Sequence, residues 1–129
     1  MSDNPARWFE IYVQDMARAK AFYESVFQVK LERLNSPELE MWAFPAVLGG
    51  TGTSGALVKM EGGPSGGNSV LIYFACEDCA VETERVIRFG GRVERPRFSI
   101  GEYGYIALVR DTEGNMIGLH SMTQSVDRP

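Results

Sequence analysis

The chain is short of the residues from which metal sites and cross-linked frameworks are usually built. It has one histidine, His120, and two cysteines, Cys76 and Cys79, among 129 residues. One histidine excludes a two-histidine metal site within a single chain. Two cysteines, in a chain long enough to bury roughly two-thirds of its unfolded surface, exclude dependence on a disulfide scaffold and suit a reducing, cytoplasmic compartment. No apolar run approaches the ~20 residues of a membrane helix, and the opening MSDNPARW carries no signal-peptide pattern, so no membrane partner is expected. Basic runs are also missing: 13 Lys and Arg stand against 17 Asp and Glu, for a net charge of −4. Without a basic stripe to displace counterions from a phosphate backbone, nucleic acid is not an expected partner.

Several catalytic signatures are absent too. There is no G-x-S-x-G elbow and no H-R-D or D-F-G triplet, which removes nucleophile-elbow hydrolases and protein kinases. The segment from Gly50 to Gly55 matches G-x-G-x-x-G in letters only, because a strand rather than a helix is expected after it; it reads as a loop. Cys76-Glu-Asp-Cys79 has thioredoxin-like C-x-x-C spacing. Yet these cysteines match Val13 and Met16 in the repeat described next, which argues for packing rather than redox chemistry.

What the sequence does have is a duplication. Shifted by sixty-three positions, Asp15 falls on Asp78, Ala17 on Ala80 and Gly55 on Gly118. A half-chain with one apolar sheet face cannot bury that face alone, so the two copies must pack together. In the first copy Trp8–Val13 alternates, with Phe9, Ile11 and Val13 on an apolar face and Trp8, Glu10 and Tyr12 on a mixed one. Asp15 then offers an N-cap to a helix whose stripe is Ala19, Phe22, Tyr23, Val26 and Phe27. Strands are expected at 29–34, 40–45 and 55–60, giving β-α-β-β-β over residues 7–60. Residues 61–69, rich in glycine, read as a flexible linker. The second copy, 70–122, repeats the order with strands at 70–76, 92–98, 103–110 and 115–122 and a helix after Asp78. Gly90-Gly91 should cap that helix, and Gly114 should supply a positive φ in the turn between the last strands. Residues 125–129 read as a frayed tail.

The helix should cover the all-apolar strand face, since burying it costs no polar desolvation, leaving the mixed face for a ligand cleft. Alternation then assigns to that cleft Trp8, Glu10, Tyr12, Leu57, Lys59, Leu71, Tyr73, His120 and Met122, with Trp42, Phe44 and Tyr105 closing its sides. Such an aromatic pocket with a few polar groups is the usual make-up of a small-molecule site. Glu10, held against Trp8 and Tyr12, is the candidate general base; its alternative is a carboxylate paired with Lys59 or hydrogen-bonded to a tyrosine. His120 is the candidate proton shuttle or hydrogen-bond donor to a substrate oxygen, and Lys59 a candidate contact for an anionic group.

The segment VQDMARAKAFYESVF, the later Gly90-Gly91 and the closing DTEGNMIGLH together resemble the vicinal oxygen chelate superfamily, which includes glyoxalase I, bleomycin-resistance proteins and extradiol dioxygenases. The resemblance covers about Arg7 to Met122. It implies a single α+β domain in which two tandem β-α-β-β-β modules form an incomplete β-barrel around a central cleft, commonly as a homodimer. It also implies four metal-ligand positions in metal-bearing members, which fall here on Trp8, Gly55, Leu71 and Gly118. None of these side chains can ligate, so no metal and no other cofactor is expected, and with the Lewis acid gone, authentic glyoxalase I activity is not expected either. Two functions remain open: a metal-free binder of a small apolar or aromatic molecule, or a metal-independent isomerase or lyase. The second would use Glu10 as base and His120 or a tyrosine to stabilise an oxyanion.

Overall fold

A computed structural model of the chain describes residues 4–37, 39–46 and 52–122. Its elements run β1 (Trp8–Tyr12), α1 (Met16–Phe27), β2 (Glu32–Arg33), β3 (Glu40–Ala43), β4 (Ser54–Lys59), β5 (Tyr73–Ala75), α2 (Cys79–Arg88), β6 (Arg92–Ser99), a 3-10 turn (Gly101–Tyr103), β7 (Tyr105–Arg110) and β8 (Met116–Ser121). The order is β-α-β-β-β written twice. Of the expected loop segment 50–55, residues 50 and 51 lie outside the described residues while Ser54 and Gly55 already belong to β4; all of the tail 125–129 lies outside.

The two helices start alike because the same residue starts them. Asp15 accepts from the Arg18 N–H at 3.0 Å and Asp78 from the Ala80 N–H at 3.0 Å, each satisfying a backbone donor that has no partner inside its helix. They end differently. After α2, Gly90 takes φ +100°, the left-handed conformation glycine adopts without penalty, whereas α1 closes on Gln28 at φ +55°.

The strands form two unclosed four-stranded sheets, ordered β1-β4-β3-β2 and β5-β8-β7-β6. In each, the strand before the helix pairs in parallel with the module's last strand, but the register differs by one residue. Ile11 lies beside Leu57 in the first sheet and Phe74 beside Leu119 in the second. Ile11 and Phe74 are sixty-three residues apart; Leu57 and Leu119 are sixty-two apart. Because side chains alternate with period two, this slip turns the last strand of one module over relative to a sixty-three-residue repeat. Gly55 and Gly118, equivalent in sequence, therefore face opposite sides of their sheets. Gly55 lies beside Phe9 on the helix side, and Gly118 beside Tyr73 on the far side.

The helix-facing sides share one core. Tyr23, fully buried, has Phe44 at 5.7 Å and Phe74 at 5.9 Å between ring centroids, and Phe74 stacks on Phe27 at 4.5 Å, so aromatic rings from both modules interlock. The β7–β8 turn adds a polar clasp. Buried Glu113 accepts from the Gln14 N–H at 2.8 Å and the Asp15 N–H at 2.9 Å, and from Arg18 Nε at 2.7 Å. Next to it the Tyr23 hydroxyl donates to Asp111 at 2.7 Å. Segment 61–69 is pinned at several points rather than hanging free: Gln14 Nε2 donates to the Gly63 carbonyl at 2.8 Å, the Gly66 N–H to Asn115 at 2.7 Å and the Met116 N–H to Asn68 at 2.9 Å.

Candidate functional site

Two sheet faces point away from the helices, and they carry the polar and aromatic groups not absorbed by the core. On the first, Trp8, Glu10 and Tyr12 stand in register with Ser54, Ala56 and Val58. Both oxygens of Glu10 are engaged: Trp8 Nε1–H donates to one at 3.0 Å and the Tyr12 hydroxyl to the other at 2.7 Å. Of the alternatives for this carboxylate, the tyrosine bond is the one present. Lys59 lies instead at the exposed end of β4, beside a separate hollow bordered by Gln14, Glu40 and Glu61.

On the second sheet, Tyr73, Gly118 and Leu108 form one row and Ala75, His120 and Ile106 the next. Tyr73 lies over Gly118 so closely that a Cβ there would meet its ring at 2.3 Å, and the tyrosine remains 47% exposed. Ile106 and Leu108 are half-buried, alternating with the buried Ala107 and Val109 beneath. His120 Nε2–H donates to the Tyr103 carbonyl at 2.7 Å, which leaves Nδ1 as the nitrogen able to accept from a ligand while the ring is neutral. Leu71 precedes β5 half-buried, and Met122, 59% exposed, follows β8.

Besides Lys59, four residues assigned to the cleft belong elsewhere. Leu57 is fully buried beside Ile11 on the helix side, because the register slip places Val58, not Leu57, at the position matching His120. Trp42 pairs with Leu57 and so shares its side, where the Lys20 ammonium sits 4.6 Å from its ring. Phe44 packs into the aromatic core, 5.6 Å from Phe9. Tyr105 pairs with buried Ser121, facing α2, with the Arg97 guanidinium 5.8 Å from its ring. The single pocket expected from alternation thus divides into two faces. At the junction of the modules, Glu10, Tyr12, Val70, Ile72 and Met116 border an open cavity of about 260 Å³.

The implied metal positions do not fit an ion. Gly55 holds the Phe9 ring and Gly118 the Tyr73 ring, each within 2.4 Å of where a side chain would begin. Ala56, which the true register makes the counterpart of Gly118, offers no donor either. Among the described residues no three His, Cys, Asp or Glu side chains cluster closely enough to hold a metal. Nor is any helix among them long and apolar enough to cross a membrane.

Residues 6–119 match the model of the Glyoxalase/Bleomycin resistance protein/Dioxygenase superfamily. The chain belongs to this family. CFP32 of Mycobacterium bovis, which carries a glyoxylase name, is 27% identical over 87% of this chain; the match spans 43% of CFP32, so the chain covers under half of that relative's length. Among solved structures, TnmS3, an antibiotic-binding protein from Streptomyces sp. CB03234, superposes with a TM-score of 0.71 at 24% identity, over 95% of this chain and 99% of its own. Protein SA1046 from Staphylococcus aureus superposes with a TM-score of 0.72 at 18% identity, over 93% of this chain and 95% of its own. At these identities the likeness is one of fold.

Within this glyoxalase-type frame the remaining chemistry is modest. Burial, foremost, pushes the Cys76 thiol far up, with the neighbouring Glu82 carboxylate adding to it, and burial raises Cys79 as well. Thiols held in the protonated form are poor nucleophiles, which agrees with packing rather than redox chemistry. The Tyr12 phenol is raised above its usual 10.0, first by its hydrogen bond to Glu10, then by burial and the Glu10 charge. Glu10→Gln should therefore lower the Tyr12 pKa toward 10.0, read as a shift in the tyrosinate absorbance titration against the parent protein; an unchanged titration would mean that the pair does not form in solution.

Sequence reasoning missed Ile106, Leu108, Phe98 and Arg95 on the second face and Glu113 at the clasp. The alternation of β7 could have found the first two. Nothing local marks the others, because Arg95 and Phe98 lie on a strand whose register is interrupted and Glu113 acts on residues nearly a hundred positions away.

Proposed function

We propose that this glyoxalase-family chain binds a small apolar or aromatic molecule without a metal ion or other cofactor. The observation that carries this reading is Tyr73: its half-exposed ring occupies the place from which a metal ligand would project at Gly118, beside Ile106, Leu108 and His120. An aromatic wall over an apolar floor favours a flat ligand by stacking and burial of area. Trp8, Glu10 and Tyr12 form the polar and aromatic counterpart on the first sheet. TnmS3, an antibiotic-binding protein on the same fold, is consistent with sequestration as the role.

Binding is better supported than turnover, because Glu10 and His120 stand on different sheets and each is already held by a neighbour. We also read the chain as a cytoplasmic homodimer. Its free thiols fit a reducing compartment, and Val70, Tyr103 and Met122, each more than half exposed, are apolar surface that a second copy would cover.

Tryptophan quenching against a panel of planar aromatic compounds tests the reading. Saturable one-to-one binding is expected, with Glu10→Gln retaining affinity to within about threefold. Conversion of a bound compound that stops in Glu10→Gln would replace the binder with an enzyme. Elemental analysis should find no stoichiometric transition metal in the purified protein, and sedimentation should give a dimer.

A further inference from the structure

The strand β6 carries three arginines, and two of them are neutralised. Arg92 bridges to Glu94 at 3.0 Å and Arg97 to Asp78 at 3.1 Å, while Arg110 of the adjacent strand reaches Glu94 at 2.7 Å. Among the described residues Arg95 has no carboxylate partner. Its guanidinium instead lies 3.5 Å from the centre of the Phe98 ring.

Register explains how the two meet. In a regular strand, residues three apart point to opposite sides, but β6 is irregular between Val93 and Arg95 and again between Arg95 and Phe98. These interruptions turn Arg95 toward Leu108 and Phe98 toward Ile106, so both join the face away from α2. Two complete rows then cross the second sheet: Arg95, Leu108, Gly118, Tyr73 and, next to it, Phe98, Ile106, His120, Ala75. At ~4.8 Å between strands, the Arg95 and Gly118 backbones stand about 10 Å apart, and the Tyr73 ring lies over Gly118, so the span from guanidinium to ring suits a two-ring planar molecule. Between them Leu108 and Ile106 form an apolar floor, and the absence of a side chain at Gly118 lets the Tyr73 ring lie down at its edge.

A guanidinium stacked on an aromatic ring keeps its N–H groups in one plane, free to form paired hydrogen bonds to a carboxylate, sulfonate or phosphate. In a chain with a net charge of −4, a cation left unpaired at the end of an aromatic trough gives that trough a preferred ligand sign. We propose that the second-sheet face selects planar aromatic anions, with Arg95 as the anion anchor and Tyr73 as the opposite aromatic wall. This rests on the reading of the face as a binding surface and adds the ligand's charge and orientation.

The test uses two fluorescent probes with one ring system: 8-anilinonaphthalene-1-sulfonate, an anion, and N-phenyl-1-naphthylamine, its uncharged counterpart. The parent protein should bind both saturably and the sulfonate more tightly. Arg95→Gln should weaken sulfonate binding roughly tenfold while leaving the amine within about twofold, and Arg95→Lys should fall between. Arg95 is exposed, so circular dichroism and the unfolding temperature of the variant should match the parent. If Arg95→Gln weakens both probes equally, or neither, the anion anchor is overturned while the binding face stands. If neither probe binds the parent, or Tyr73→Ala leaves the binding of both unchanged, the face is not the binding surface and both readings fall.

Discussion

Glu113→Ala is expected to lower the unfolding midpoint by about 10 °C or more, a destabilisation of about 3 kcal/mol. The Glu113 side chain is fully buried and takes hydrogen bonds from two backbone N–H groups at the start of α1, from Arg18 through both Nε and a terminal nitrogen, and from Thr112. Removing it leaves the Gln14 and Asp15 donors without the carboxylate that joins the second module to the first. Arg18 is half exposed, so losing the arginine instead lets water replace it, and Arg18→Ala should lower the midpoint far less than Glu113→Ala does.

The same clasp has a pH signature. Burial pushes the Glu113 carboxyl up, but the bonds from Arg18, the two N–H groups and Thr112 outweigh it and bring the pKa down to about 2 from the usual 4.5. A carboxyl depressed in the native state stabilises at pH values above its unfolded pKa, and that contribution is lost as pH falls through 4.5 toward about 2. Asp111 next to it runs the other way: burial raises its pKa, so its charge costs stability at neutral pH and that cost is relieved on acidification. The gap in midpoint between the parent and Glu113→Gln should therefore be widest at neutral pH and close as pH approaches 2. A gap that stays constant with pH would show that the Glu113 charge is not what joins the modules.

The second large effect contrasts two glycines that the repeat makes equivalent. A methyl group at Gly55 would meet the Phe9 ring at 2.4 Å, and Phe9 is packed against Phe44 and Phe74 of the shared core. Gly55→Ala should cost about 2–3 kcal/mol, the expense of overpacking a filled interior, and lower the midpoint by about 10 °C. A methyl at Gly118 is just as close to Tyr73, but that ring is 47% exposed and can swing into solvent. Gly118→Ala should cost about 1 kcal/mol or less, while displacing Tyr73 and weakening aromatic probe binding. Equal losses of stability at the two sites would contradict the opposite facing of Gly55 and Gly118.

That contrast marks the boundary between what could be read in the chain and what could not. The two N-cap aspartates, the stripe Ala19, Phe22, Tyr23 and Val26, the positive φ at Gly90 and Gly114, and the doubled β-α-β-β-β order follow from local rules, and each is present. For the mixed face of β1 the alternation was also enough: Trp8, Glu10 and Tyr12 do share a side. It failed at Leu57, Lys59, Trp42, Phe44 and Tyr105 because the facing of a strand depends on its pairing partner. A one-residue difference in that pairing leaves no trace in composition or periodicity.

The sequence by itself determined the elements, the duplication and the absence of metal-binding side chains at the positions where the family resemblance would place them, since these depend on residue type and near neighbours. Tertiary structure decided which face each closing strand presents, that Arg95 and Phe98 share a side, and that Glu113 closes the two modules on each other. Each of these depends on contacts between segments tens of residues apart, set by register and packing over the whole fold and not by any local pattern.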